Sequence, residues 1–210
     1  MYKRLILIAL VLAFSGCATN RGIVDLTVEN VANPKTGDYV KITKVTDNRK
    51  FELAPNSPST PSLKNGEIHD PAITSRAIAR KRNGFGKALG DILLPEGKTV
   101  SGLVKDAVAA SLKKAGYRVV EAGDSHYSQA TPIEVQVETF WGWFTPGFWA
   151  VTLEFQSDVE LKGNIKGLKK SPTVHGAAQV KTAMAATGSW VETFNQGLQD
   201  LIENIRKALK

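Results

Sequence analysis

The chain has 210 residues, 42% of them hydrophobic and 22% charged, with a formal net charge of +7. That length suits one domain with a real core. A single cysteine, Cys17, excludes an intrachain disulfide, and once it is acylated no thiolate is left for a metal site or for nucleophilic attack.

The chain opens on Met1-Tyr2-Lys3-Arg4, a short basic start, followed by an unbroken apolar run over residues 5–14 and then Ser15-Gly16-Cys17. A charged start, a short apolar run and small residues are the parts of a secretory signal. The run is shorter than the roughly 20 apolar residues that span a bilayer. Ending on a cysteine, it resembles the bacterial lipobox. This predicts a signal peptide over 1–16, an acylated Cys17 as the new N-terminus, a tether over 17–38 and a single domain over 39–210. Losing Lys3 and Arg4 takes the charge from +7 to +5. Outside the cytoplasm, that excess suits lipid headgroups or cell-wall polymers, not nucleic acid, or serves solubility alone.

Val24, Leu26 and Val28 alternate, giving one short strand in the tether. Residues 39–45 alternate again, with apolar side chains on both faces, as in a strand central to a sheet. Residues 48–97 read as a long excursion. Pro55, Pro58 and Pro61 with their serines mark a loop, and Arg76, Arg80, Lys81, Arg82 and Lys87 follow without an acidic neighbour. Ile73, Ala77 and Ile78 predict a short helix ending near Asn83-Gly84.

Residues 99–114 carry the clearest helical pattern. Val100, Leu103, Val104, Ala107, Val108, Ser111 and Leu112 recur at i, i+3, i+4 and i+7. Thr99 is the expected N-cap, Lys113 and Lys114 complement the dipole, and Gly116 follows as C′. A short strand over 117–121 comes next. Residues 133–139 and 149–161 then alternate apolar and polar, flanking Pro146-Gly147, and predict a long hairpin. Residues 173–184 give a weaker strand. Ser189 with Glu192 predicts a capping box opening a last amphipathic helix. The order β-α-β-β-β-β-α predicts an α+β fold. It consists of an antiparallel-rich sheet of about four to five strands with two amphipathic helices on one face.

Chemistry-bearing patterns are few. His69, His126 and His175 share no ligand spacing, and no serine sits in a nucleophile elbow. Glu134, Glu138, Glu154, Asp158 and Glu160 fall on one sheet face, an array a hydrolase could use and an ordinary wet face also produces. Residues 84–90 read GxGxxxG, not a dinucleotide fingerprint. No cofactor and no metal are expected.

Two features rise above this background. Phe140, Trp141, Trp143, Phe144, Phe148 and Trp149 are six of sixteen aromatics within ten residues around the hairpin turn. They fold over the core, anchor a protein partner, enter a membrane interface or stack on sugar. The second feature is the basic stretch with Arg80, Lys81 and Arg82, either a solvated loop or a contact for anionic headgroups.

The lipobox Phe14-Ser15-Gly16-Cys17, the strand end Val45-Thr46-Asp47-Asn48-Arg49 and the run Leu112-Lys113-Lys114-Ala115-Gly116-Tyr117-Arg118-Val119 resemble the YajG-like family of small bacterial lipoproteins. The one-sided strands and the closing amphipathic helix fit the same pattern. The resemblance implies an outer-membrane lipoprotein facing the periplasm, with Ala18 after the cysteine consistent with that destination. It implies no catalytic residues. The expectation is a non-enzymatic envelope lipoprotein, held in the membrane by its lipid, that binds or braces an envelope protein partner. Its contacts would be Trp141, Trp143, Phe144, Phe148 and Trp149, then Arg80, Lys81 and Arg82. The rivals are a binding module for anionic lipid or cell-wall glycan, and a periplasmic hydrolase.

Overall fold

The computed structural model describes residues 21–82, 87–168 and 171–210, apart from the side chain of Asn65. Cys17, the signal segment and Gly84-Phe85-Gly86 lie outside the described residues.

Alternation along the chain makes the strands, and a long strand organises them. β6 (Thr131–Pro146) and β7 (Val151–Gly163) form the expected antiparallel hairpin, and β8 (Thr173–Thr182) pairs antiparallel with β7. Pro146 pairs with Val151, so the turn is Gly147 to Ala150, closed by the Gly147 N–H donating to the Ala150 carbonyl at 2.8 Å. The other edge of β6 is shared. β2 (Tyr39–Asp47) runs parallel to its first half, and β3 (Ala77–Arg82) lies parallel beside Gly142 further on. β5 (Arg118–Val119) adds to β2; β4 (Ala88–Leu93) and then β1 (Gly22–Ile23) add to β3.

The fold is α+β, as the pattern predicted. The sheet is larger and more mixed than expected, with eight strands among the described residues where four to five were foreseen and several parallel pairings. The extra strands come from the stretches read as tether and excursion. Val24 and Leu26 are buried, and the expected helix over 73–84 is a single turn, α1 (Pro71–Thr74), leading into β3. A helix could not continue there, because β3 places side chains against cover on both faces of the sheet.

Helix α2 (Val100–Lys114) has the expected cap, the Thr99 hydroxyl accepting from the Gly102 N–H at 3.0 Å. Helix α3 (Thr187–Ala208) begins two residues before the expected Ser189, and no side chain caps it; Ser189 Oγ instead donates to Thr182 Oγ1 at 3.3 Å. Both helices pack on one face. α3 lies so close that a Cβ on Gly197 would stand 2.0 Å from Phe155 Cδ1, and one on Gly142 would stand 2.9 Å from Phe194 Cζ. Burying each large side chain of this core contributes about 1.5–3 kcal/mol.

A bulge decides which residues of β6 meet that core. The register against β7 slips between Val137 and Thr139. Before it, Ile133, Val135 and Val137 face the helices; after it the parity changes and Phe140 and Phe144 do. Trp141 and Trp143 turn to the opposite face. There they pack with Leu63, Ala77 and Leu93 under Phe51, Ile68 and Ile73, a second small core covered by the 50–75 segment.

Candidate functional site

The six aromatics separate into a base and a tip. Phe140 and Phe144 are in the helix-side core, Trp141 and Trp143 in the small core. Trp141 meets Phe51 edge to face at 5.8 Å and donates its Nε1–H to the Pro58 carbonyl at 3.3 Å. Trp141, Trp143 and Phe144 are therefore buried, and the expectation that they present a contact surface is corrected: cover from α3 and from residues 50–75 seals them. Phe148 and Trp149 remain 89% and 87% exposed, touching each other edge to face at 4.7 Å. Met184, 70% exposed, lies just past Thr182, the partner of Val151, and so at the same end of the sheet. Three large apolar side chains thus stand in water at one end of the sheet. Scattered single apolar residues are ordinary on a surface; an adjacent aromatic pair on a turn is not.

The way the chain enters points to the same end. Gly142 faces Ala79, Ala79 faces Ile92 and Ile92 faces Gly22, which sets these four residues at one level. Above that level β6 climbs four residues to Pro146, about 13 Å. β1 is parallel to β4 and β4 antiparallel to β3, so β1 runs down from that end of the sheet and Arg21 stands on the tip side of Gly22.

The basic stretch is not a solvated loop. Arg80 is buried at 8% exposure, its Nε 3.5 Å from Asp91 Oδ1. Arg82 donates from Nη2 to the Ser62 hydroxyl at 2.7 Å. Burial lowers the affinity of both Lys81 and Arg82 for their protons, and Asp91 offsets part of it. Lys81 and Arg82 are half-buried.

Sequence reasoning singled out no role for Arg49, which holds the split sheet together. Between the end of β2 and the start of β3, no strand among the described residues lies beside the edge of β6. Asn48 and Arg49 fill the gap. Asn48 N–H donates to the Val137 carbonyl at 2.9 Å, and its side chain donates to Glu138 Oε1 at 2.8 Å. The Arg49 guanidinium donates to Asp47 through Nε and Nη2, both at 2.8 Å. It also reaches the carbonyls of Ala77 at 2.6 Å, Thr74 at 2.8 Å and Phe140 at 3.2 Å. The clue in the sequence is Asp47-Asn48-Arg49 at a strand end, since residues two apart in an extended chain share a face.

Four of the five carboxylates expected on one sheet face, Glu138, Glu154, Asp158 and Glu160, have ordinary partners. Glu154 accepts from the Thr145 hydroxyl at 2.6 Å, Glu160 pairs with Lys162 at 3.2 Å, and Asp158 meets His175 across β7 and β8. His126 stacks on Tyr39 at 4.1 Å. His69 lines a cavity of about 360 Å³ with Asp47 and Arg49, which are committed to each other. Among the described residues no group of three or more His, Cys, Asp or Glu is placed to hold a metal ion. No helix among them is long and apolar enough to cross a membrane.

No family model matches the chain, and no curated protein matches it. Among solved structures, an uncharacterized protein is similar over 91% of this chain and 99% of its own, at 9% identity and a TM-score of 0.45. A protein from Xanthomonas campestris of family-model DUF330 is similar over 89% of this chain and 94% of its own, at 14% identity and a TM-score of 0.41. Both are likenesses of fold, and neither assigns a role to a residue.

Proposed function

We propose that the protein is a non-enzymatic lipoprotein of the bacterial outer membrane. Acylated Cys17 holds it in the periplasmic leaflet, and it docks on an envelope protein partner through the tip of the β6–β7 hairpin. The observation that carries this reading is the exposure of Phe148 and Trp149 at the end of a hairpin whose other aromatics are all packed. Aromatic anchors of this kind dominate binding energy when a partner covers them.

A second reading is favoured by one specific observation: β1 is entered at Arg21 from the end of the sheet that carries the tip. On that reading Phe148, Trp149 and Met184 rest in the leaflet that holds the lipid, where tryptophan is favoured. The lipid would then supply affinity and the tip orientation.

One experiment on the acylated protein in cells tests both. Metabolic palmitate labelling should be lost in Cys17→Ser. A photoreactive residue at Trp149 should give a discrete protein adduct. Lipid adducts alone would replace the protein partner by the leaflet, and an unlabelled Cys17 would end the lipoprotein reading.

A further inference from the structure

Arg49 and Arg80 are both buried arginines, and only one is satisfied. The Arg49 guanidinium meets two carboxylate oxygens and three carbonyls. Arg80 Nε and Nη1 are buried with no hydrogen-bond acceptor among the described residues. Asp91 Oδ1, itself without a hydrogen bond among the described residues, stands 3.5 Å from Arg80 Nε as its ion-pair partner. Asp91 Oδ2 accepts from Arg21 Nη2 and from the Lys64 backbone N–H, each at 3.3 Å, and Arg80 Nη1 is left with no acceptor among the described residues. Burying a guanidinium with its donors unmet is costly, so such a group in a native fold asks for a ligand.

There is room for one. A cavity of about 130 Å³ is lined by Lys64, Arg80, Ala88, Leu89 and Gly90. Lys64 is exposed at its rim and Arg80 is buried. The surrounding charges do not balance. Arg21, Lys64 and Arg80 face Glu67 and Asp91, and Arg21 bridges those two acids. One positive charge is left over among these residues. A planar guanidinium with a nearby ammonium suits a tetrahedral oxyanion, which accepts two parallel N–H bonds from the fork and balances the excess charge.

We propose that Arg80 and Lys64 form a binding site for a phosphate group. It is separate from the aromatic tip and does not depend on the tip's role. Two sources share that chemistry. One is a soluble phosphate or phosphate monoester. The other is a lipid headgroup, because Arg80 is two residues below the end of β3, toward the end of the sheet that carries the tip.

The test is the thermal midpoint of the mature full-length protein in a maltoside detergent, in inorganic phosphate against chloride at matched ionic strength. A ligand that binds only the native form raises the midpoint, and a rise of a few degrees is expected. Phosphate also stabilises proteins by exclusion from their surface, so the variants carry the decision. Lys64→Ala, at an exposed rim position, should lose most of the rise, and Arg80→Lys should reduce it because the fork is gone. If Arg80→Lys does not fold, Lys64→Ala decides alone. Glycerol phosphate and phosphatidate-containing nanodiscs then distinguish the sources. A rise with glycerol phosphate assigns a soluble ligand, and a rise only with phosphatidate assigns a headgroup. Equal midpoints in all of these media, or a rise kept in full by Lys64→Ala, would overturn the site.

Discussion

The base and the tip of the β6–β7 hairpin have the same composition and opposite surroundings. At the base, Phe140, Trp141, Trp143 and Phe144 are sealed between α3 and the 50–75 segment. Eight residues after Phe140, Phe148 begins an aromatic pair that neither cover reaches. The difference shows that an aromatic run does not declare its own burial. Local sequence sets which side chains alternate, whereas distant segments decide which of them are covered. Aromatic density alone therefore marks no contact surface, and the exposure that survives folding is what singles out Phe148 and Trp149 for the proposed one.

The sharpest way to break this comparison is at the base. Trp141→Ala should cost about 3–5 kcal/mol, through lost burial and the cavity left behind. Denaturant midpoints would show it, and a loss within error would place Trp141 outside any core. Arg49→Met should follow, at about 3 kcal/mol, because it strands the Asp47 carboxylate and three carbonyls in the gap beside β6. The same unfolding curves measure it. Gly142→Ala comes next. Its new methyl would press on Phe194, Trp190 and Ala79, and overpacking of this sort costs about 1–3 kcal/mol. Calorimetry should find a lowered midpoint with the fold retained. The smallest stability effect belongs to the tip. Phe148→Ser with Trp149→Ser should change stability by less than about 0.5 kcal/mol, since exposed positions carry little. The same double variant should lose crosslinking to its partner. A double variant that unfolds would erase the distinction between base and tip.

Much of the fold was legible because it is written locally. Helix α2 announced itself by spacing, by Thr99 and by Gly116, and the hairpin by its alternation. What was hidden depends on pairing between distant segments. β3 reads as the end of a short helix with a basic stretch because Arg80 and Arg82 turn toward Asp91 and Ser62, where no apolar alternation exists to be read. β2 and β3 share one edge of β6, and no local pattern encodes that division. The bulge after Val137 reverses the parity of β6, so Trp141 and Trp143 fall on a face that simple alternation assigns to the core side. Of the aromatics around the turn that the sequence singled out, the structure buries Phe140, Trp141, Trp143 and Phe144 and leaves Phe148 and Trp149 exposed. The missing signal for Arg49 was its distance of two from Asp47, meaningful only once the end of β2 is known to leave a gap.

The most direct test of the docking claim is a photocrosslinking profile of the acylated protein in its own envelope. The reactive residue is placed in turn at Thr145, Phe148, Trp149 and, away from the tip beside Ala177 in the middle of β8, Asp200, all exposed positions. The account predicts discrete protein adducts at Phe148 and Trp149 and none at Asp200. Protein adducts at Asp200 with none at the tip would contradict it.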